Sequence, residues 1–370
     1  MKTITLVAAG LAFPERETLL KLEAADEYPR TSLFYEELNS DRLDERFLER
    51  APEGRRIVYN ALPQMATQLA EAFVIKGRYD AVISWNERLG LMFSLLLKLT
   101  GSHVPHVTIF SWISEKKKAE FLQRLHSNID QIILMSSIQK DIAINRLHIP
   151  PSKITLLKWG VDQKFWRPMD VEPDMICSAG SEMRDYITLI ETMRGLTISC
   201  HIAAGTQRNV MHPTIKAIWK NGAPPPNITV GRKGYAELRM LYARSRFVVI
   251  PILPSDSDHG TTSILEAMAM GKAVICSKTT GQVDVIQDGK TGLFVPQGDP
   301  AALREAIQYL WDNPDVALRM GNEGRKCVEK HYTLESFVSN VKRVVCDAVQ
   351  QKQQSDTGKQ ARATNSADVM

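Results

Sequence analysis

The sequence predicts an α/β protein of two Rossmann-like, doubly wound domains facing across a cleft. Three observations predict it. Short apolar, β-branched runs alternate with longer segments of helical periodicity as far as Trp159. The alternation then breaks at a turn-rich stretch and restarts. A chain of 370 residues is also long for one hydrophobic core and comfortable for two.

In the first half, Thr3–Ala9, Asp80–Trp85, His106–Trp112, Gln131–Met135 and Ile154–Trp159 read as strands. Pro63–Ile75, Leu89–Leu99 and Ile138–Leu147 read as the helices between them. Gly160-Val161-Asp162, followed by Phe165-Trp166-Arg167-Pro168, marks the exit from the first domain. In the second half, Met175–Ala179, Thr197–Ala204, Asn227–Val230, Phe247–Leu253, Ala273–Cys276 and Gly292–Val295 are the expected strands. Helices are expected at Tyr235–Ala243, Ser263–Met270, Pro300–Trp311 and Leu334–Val349. The expected domains are therefore 1–165 and 166–332, with a terminal helix over 333–350. Beyond Gln350 periodicity stops and the composition turns polar, so 351–370 reads as a disordered tail.

Composition narrows the function. Apolar residues make up 44% and charged residues 24%, as in ordinary folded proteins. A net charge of +4 suits anionic ligands, but no basic stripe with interleaved aromatics points to nucleic acid. Cys177, Cys200, Cys276, Cys327 and Cys346 are odd in number and lack CxxC spacing, so buried, reduced thiols and a cytoplasmic setting are expected. His201, His212 and His331 have no metal-ligand spacing. Met65, Met92, Met240, Met268 and Met270 fall on apolar helical faces and read as packing.

Met1-Lys2 before an apolar run has the outline of a signal peptide, but Pro14-Glu15-Arg16-Glu17 stands where cleavage would occur, so a strand is the expectation. Leu89–Leu99 is too short to span a bilayer. Lys116-Lys117-Lys118 with Phe121 and Leu122 is the candidate for peripheral membrane contact, against the commoner reading of a solvated helix face.

Crevices in such sheets lie at the carboxyl ends of the strands. The turn after the first strand, Ala8-Ala9-Gly10-Leu11-Ala12, is no dinucleotide fingerprint, and no phosphate loop of the Walker type is present. The informative stretch is Pro251 to Asp299. A strand ends in Ser255-Asp256-Ser257-Asp258-His259-Gly260, and a helix is expected to begin near Thr262, with Thr261, Thr262 and Ser263 as capping types. Free N–H groups and a positive dipole end at that point suit a diphosphate. Asp258 is placed to accept from sugar hydroxyls, and Glu266, one turn into the helix, to reach a ribose. Taken singly, each of these residues is as well read as a cap or a solvated turn acid.

Taken together, Asp258 to Ile275, Gly281, Asp288-Gly289, Thr291–Val295 and Gly298-Asp299 resemble the retaining glycosyltransferases of family four, of the GT-B class. Their signature is an acid, seven residues, a glutamate and a small-residue helix ending in glycine. Trp159-Gly160-Val161-Asp162 with Phe165 and Pro168 fits the same course at the domain junction. The resemblance implies transfer of a sugar from a nucleotide-diphosphate donor, of UDP or GDP type, to an unidentified hydroxyl acceptor, with retention and without a metal. It also implies a terminal helix that crosses back onto the first domain.

The departures from the family are specific. Asp258 replaces the usual glutamate and is one methylene shorter. Ser181, after Gly180, stands where an arginine is usual, so Arg184 is expected to grip the diphosphate, with Arg232 or Lys233 in the turn Gly231–Gly234 as the second cation. Arg184 is otherwise an exposed residue paired with Asp185 or Glu182. In the first domain Ser111 stands near the position of a usual histidine, His106 reads as a strand residue, and Gly10, Ser111 and Trp112 form the expected acceptor side. Trp112 is equally well read as packing. The Asp256-Ser257-Asp258 pair alone does not establish a metal site. A catalytically weakened nucleotide-sugar-binding paralogue and a GT-B-like epimerase or phosphorylase remain the alternatives.

Overall fold

The computed structural model describes residues 1–8, 14–204 and 225–367, and Gly10 and His212 lie outside them. Two six-stranded sheets form the frame, with every pairing parallel. The first contains β1 (Thr3–Val7), β2 (Ser40–Leu43), β3 (Ala81–Trp85), β4 (His106–Phe110), β5 (Gln131–Leu134) and β6 (Ile154–Leu156), in the order β2-β1-β3-β4-β5-β6. The second contains β7 (Met175–Ala179), β8 (Cys200–Ala203), β9 (Ile228–Val230), β10 (Ser245–Ile250), β11 (Ala273–Ser277) and β12 (Gly292–Val295), in the order β12-β11-β10-β7-β8-β9.

Helices cover both faces of each sheet, so the central strands are apolar on both sides. The strand order reverses between β1 and β3 in one sheet and between β7 and β10 in the other. Chains leave these neighbouring strands toward opposite faces, which opens a crevice at their carboxyl ends. In the second sheet that crevice lies between the turn after β7 and the turn after β10.

The terminal helix spans Leu334–Ala367. It continues through residues read from sequence as a disordered tail; the absence of apolar periodicity beyond Gln350 removed a reason for burial, not the capacity to be helical. Phe337, Val338, Val341, Val344, Val345 and Ala348 are buried with Ile83, Val107, Ile109 and Ile133 of the first sheet. Each such Val or Phe contributes roughly 1.5–3 kcal/mol of burial, so this face holds the helix on the first domain although it follows the second in sequence.

The chain thus crosses between domains twice, and the crossings are joined. The Val161 N–H donates to the Tyr332 carbonyl at 2.9 Å, and the Leu334 N–H donates to the Val161 carbonyl at 3.0 Å. Gly160 leaves room for this: a Cβ there would lie 2.4 Å from the Phe337 Cβ. Arg30 ties the same junction, reaching Asp162 at 2.5 Å and Glu335 at 2.9 Å.

Several sequence expectations are corrected. The polar edge strand β2 was missed, as were the helices at Lys116–Leu125, Tyr186–Met193 and Pro314–His331, among others. Ile138–Leu147 is a short α-helix, Ser137–Asp141, followed by a π-helical turn, Ile142–Arg146. Met65 and Met240 are exposed rather than packed, while Met268 and Met270 are buried. Cys177, Cys200 and Cys276 are buried; Cys327 and Cys346 are only half-buried, and all five are free thiols. Among the described residues, no helix is long and apolar enough to cross a membrane.

Candidate functional site

The crevice of the second sheet is built by three turns. After β7 the chain bends through Gly180, whose φ of 97° favours glycine, and Ser181 follows half-buried. Arg184 then folds inward. It is only 4% exposed, and its guanidinium donates to the carbonyls of Ala179 (2.9 Å) and Glu182 (2.8 Å) and to Ser263 Oγ (3.2 Å). Any Cβ at Gly180 would meet Arg184 Nη2 at 2.3 Å, so the glycine makes room for the cation. Neither Asp185 nor the Glu182 carboxylate holds Arg184, which corrects the exposed ion pair considered from sequence.

After β10 the turn Ser255–Gly260 leads into the helix Thr261–Ala269. Gly260 is the N-cap residue, in the left-handed region at φ 92°, and no side-chain hydrogen bond caps the helix. The expected caps do other things: Thr261 Oγ1 donates to the Asp258 carbonyl at 2.7 Å, and Ser263 accepts from Arg184. Thr262 is exposed. A Cβ on Gly260 would lie 3.5 Å from Arg184 Nη1, so a fixed cation stands beside an uncapped helix N-terminus.

Asp258 is buried rather than solvated. Trp159 Nε1, from the interdomain linker, donates to its Oδ2 at 2.7 Å, and Ser257 Oγ approaches Oδ1 at 3.4 Å. Burial pushes the Asp258 carboxyl above the usual carboxylate range, and the indole N–H opposes that rise. His259 stands edge to face against Trp112 of the first domain, with ring centroids 5.2 Å apart, and burial lowers its pKa.

Glu266 lies one turn into the helix, where Tyr242 Oη donates to its Oε2 at 3.1 Å. Burial pushes this carboxyl up to about 7, against the pull of the Tyr242 hydroxyl and the Arg184 charge. Thr262, Leu265 and Glu266 line a cavity of about 180 Å³ with Tyr235, Trp166, Pro29 and Arg30. The cavity lies between the helix and the linker, with walls from both domains.

Gly231, Arg232 and Lys233 follow β9, two strands away from β7. The Lys233 charge bears on His201 of β8, whose pKa is lowered chiefly by burial and then by that charge. The structure therefore brings Arg184, Gly180, Gly260, Thr261, Thr262, Ser263, Asp258 and Glu266 to one strand-switch crevice, whereas the 231–233 turn follows β9 at the edge of the sheet.

On the first domain, Ser111 and Trp112 follow β4 at the facing edge. Glu87 Oε1 accepts from the Ser111 N–H (2.9 Å), Ser111 Oγ (2.8 Å) and the Trp112 N–H (3.0 Å). His106 is a buried strand residue between Ser84 and Ser94, as expected. Lys118 sits 5.0 Å over the Trp112 ring, whereas Lys116 and Lys117 are exposed.

Sequence reasoning missed two positioning residues. Glu87 holds the Ser111–Trp112 turn. Gln282 donates from Nε2 to the His259 carbonyl (2.9 Å), Thr261 Oγ1 (3.1 Å) and the Asp258 carbonyl (3.3 Å), fixing the turn before the helix. The signal for Gln282 was its neighbour Gly281, where a Cβ would lie 2.2 Å from the Ser257 carbonyl oxygen. A glycine needed for so close an approach marks the segment that braces the turn. Among the described residues, no group of three or more His, Cys, Asp or Glu side chains is placed to hold a metal.

Comparison with known proteins agrees with this geometry. Residues 202–327 match the family model described as glycosyl transferases group 1. The alpha-maltose-1-phosphate synthase of Mycolicibacterium smegmatis is 25% identical over 230 residues, 54% of this chain and 59% of that protein. The MMP alpha-(1->4)-mannosyltransferase of Mycolicibacterium hassiacum is 22% identical over 60% of this chain and 54% of that protein. The chain thus spans little more than half the length of these relatives. Among solved structures, a sucrose-phosphate synthase from Thermosynechococcus elongatus superposes with a TM-score of 0.71 at 16% identity, covering 94% of this chain and 99% of that one. Anabaena HepE, in complex with UDP and glucose, superposes with a TM-score of 0.69 at 13% identity over 94% of this chain and 99% of that one. Residues 202–327 are thus similar to group 1 glycosyl transferases, and over nearly its whole length the chain has the two-domain GT-B fold.

Proposed function

We propose that the protein is a retaining glycosyltransferase that moves a sugar from a nucleoside-diphosphate donor to a hydroxyl acceptor without a metal ion. One observation carries this reading above the others: Arg184, held rigidly by two carbonyls and Ser263, stands beside the uncapped N-terminus of the helix Thr261–Ala269. A fixed guanidinium and a set of helix N–H groups together offset a diphosphate charge that grows as the sugar–phosphate bond breaks. The same geometry supports metal independence, because it supplies the positive charge a divalent ion would otherwise provide.

In this reading the diphosphate lies at Gly180, Ser181 and Gly260–Ser263, with Arg184 as its cation and Lys233 or Arg232 as a second. Glu266 accepts from the ribose hydroxyls and Asp258 from the sugar. The nucleotide is of UDP or GDP type; HepE, which shares the fold, forms a complex with UDP and glucose. The acceptor enters from the first domain past Ser111 and Trp112. No protein base is assigned. The departing diphosphate takes the acceptor proton, and the enzyme contributes alignment and electrostatic stabilisation.

The test is hydrolysis of nucleotide sugars by the purified protein in chelator. Slow release of free sugar from UDP- or GDP-linked donors, lost in Arg184→Ala, supports a competent donor site. Binding without any release points instead to the weakened paralogue, a reading that Ser181 and Ser111 in place of the expected arginine and histidine keep in view.

A further inference from the structure

The proposed donor site leaves Asp256 without a task, although its carboxylate takes two hydrogen bonds from the other domain beside the proposed acceptor wall. Trp112 Nε1 donates to Asp256 Oδ1 at 3.0 Å, and Ser114 Oγ donates to the same oxygen at 2.7 Å. Trp112 Nε1 also reaches Ser114 Oγ at 2.7 Å, so the three groups form a closed triangle. The Asp256 backbone is held as well, its carbonyl accepting from Gln139 Nε2 at 2.7 Å, while Gln139 Oε1 takes the Ile113 N–H at 2.7 Å. The next residue completes the seam: Ser257 Oγ donates to the Ser111 carbonyl at 3.0 Å. Every one of these donors and acceptors outside the 256–257 pair belongs to the first domain.

We propose that Asp256 is a positioning residue that locks the acceptor-side turn 111–114 onto the donor turn 255–260. This inference rests on the donor-site reading above. The turn that carries Asp256 also carries Asp258 and opens onto the helix at Thr261. A shift of Asp256 relative to Trp112 therefore moves the proposed acceptor wall relative to the proposed sugar ligand. The lock is directional. Indole and hydroxyl hydrogens point at one carboxylate oxygen, so the two turns meet in a single register rather than by general apolar contact. Trp112 is in turn fixed from behind by Glu87 and covered by Lys118, so the first-domain half of the lock is rigid before the domains meet.

The consequence is a split between two steps. Binding of the nucleoside diphosphate uses groups of the second domain and does not need the lock. Transfer to an acceptor needs both turns in register and does.

The experiment compares wild type, Asp256→Ala, Asp256→Asn and Trp112→Phe by three readouts on the full chain: binding of UDP or GDP by calorimetry, the radius of gyration by small-angle scattering, and transfer kinetics. Asp256→Ala and Trp112→Phe should each enlarge the radius of gyration and lower kcat by about 10- to 100-fold, the usual cost of a misplacement near 1 Å, while nucleotide affinity stays unchanged. Asp256→Asn keeps an acceptor oxygen toward Trp112 and Ser114 and should recover most of kcat. The proposal is overturned if Asp256→Ala leaves both the radius of gyration and kcat as in wild type, or if Asn fails to recover what Ala loses. A wild-type protein that binds no nucleoside diphosphate overturns the donor-site reading instead, and the scattering comparison still decides whether Asp256 holds the domains together.

Discussion

Trp159 Nε1 lies 2.7 Å from Asp258 Oδ2, joining a residue of the interdomain linker to the acid proposed to hold the donor sugar. The indole N–H favours the ionised carboxylate against the burial that would keep it protonated. The orientation and the charge of Asp258 thus both depend on where the linker stands.

Trp159→Phe removes that donor while keeping an aromatic wall. The Asp258 pKa, already raised, rises further, because the indole N–H is the largest of the groups that favour the ionised carboxylate. The acid limb of the kcat/KM profile should move to higher pH, and activity at neutral pH should fall by about 10-fold or more, the scale of a hydrogen bond to a charged group. An unmoved acid limb in a folded variant would show that Trp159 does not tune Asp258.

Glu266 makes a second prediction, about stability. Its folded pKa of about 7 lies above the ordinary value of 4.5. Between those values the folded state holds the proton more tightly than the unfolded chain, so this group's contribution to stability declines as pH rises through that window. Above pH 7 the cost of the buried charge is present in full. Glu266→Gln, neutral throughout, should raise Tm at pH 8 by about 2–4 °C per kcal/mol recovered and give no comparable rise at pH 5. Thermal melts at the two pH values check it; equal shifts at both would contradict the raised pKa.

The crossing helix makes a third. Truncation before Leu334 removes Phe337, Val338, Val341, Val344 and Val345 from the first-domain core and should expose apolar surface and abolish transfer. Deletion of 351–370 should leave folding and activity intact. Gly160→Ala should destabilise the junction, because the added methyl meets Phe337. A soluble 1–333 protein with full turnover would contradict the role given to this helix.

These predictions also show how far the sequence could be read. Met175–Ala179, a central strand, and Gly292–Val295, an edge strand, were legible to the residue because both are short, largely apolar runs between turn formers. Ser40–Leu43 was not, because an edge strand reading Ser-Asp-Arg-Leu lacks that pattern. At the site, spacing along one helix located Asp258, Gly260 and Glu266. It did not reveal that Asp258 would be buried under Trp159, 99 positions earlier, or that Arg184 would turn inward onto Ala179 and Ser263. Nor did it show Glu87 and Gln282 bracing turns distant in sequence. Such contacts depend on how two sheets meet across a linker, which no local period encodes.

Metal independence is a fourth prediction. With Arg184 and the helix N-terminus around the diphosphate, donor turnover should survive excess EDTA. Activity lost in chelator and restored by Mg²⁺ or Mn²⁺ would mean that the diphosphate charge is balanced by an ion instead.

The donor site itself is tested most directly by calorimetric titration of the full chain with UDP and with GDP in EDTA, repeated on Glu266→Ala. The account predicts that at least one of them binds the wild-type protein without metal. It also predicts that Glu266→Ala weakens that binding by about 1–3 kcal/mol, the cost of losing hydrogen bonds to a charged group. A folded Glu266→Ala protein with unchanged affinity, or a wild-type protein that binds neither nucleotide, would contradict it.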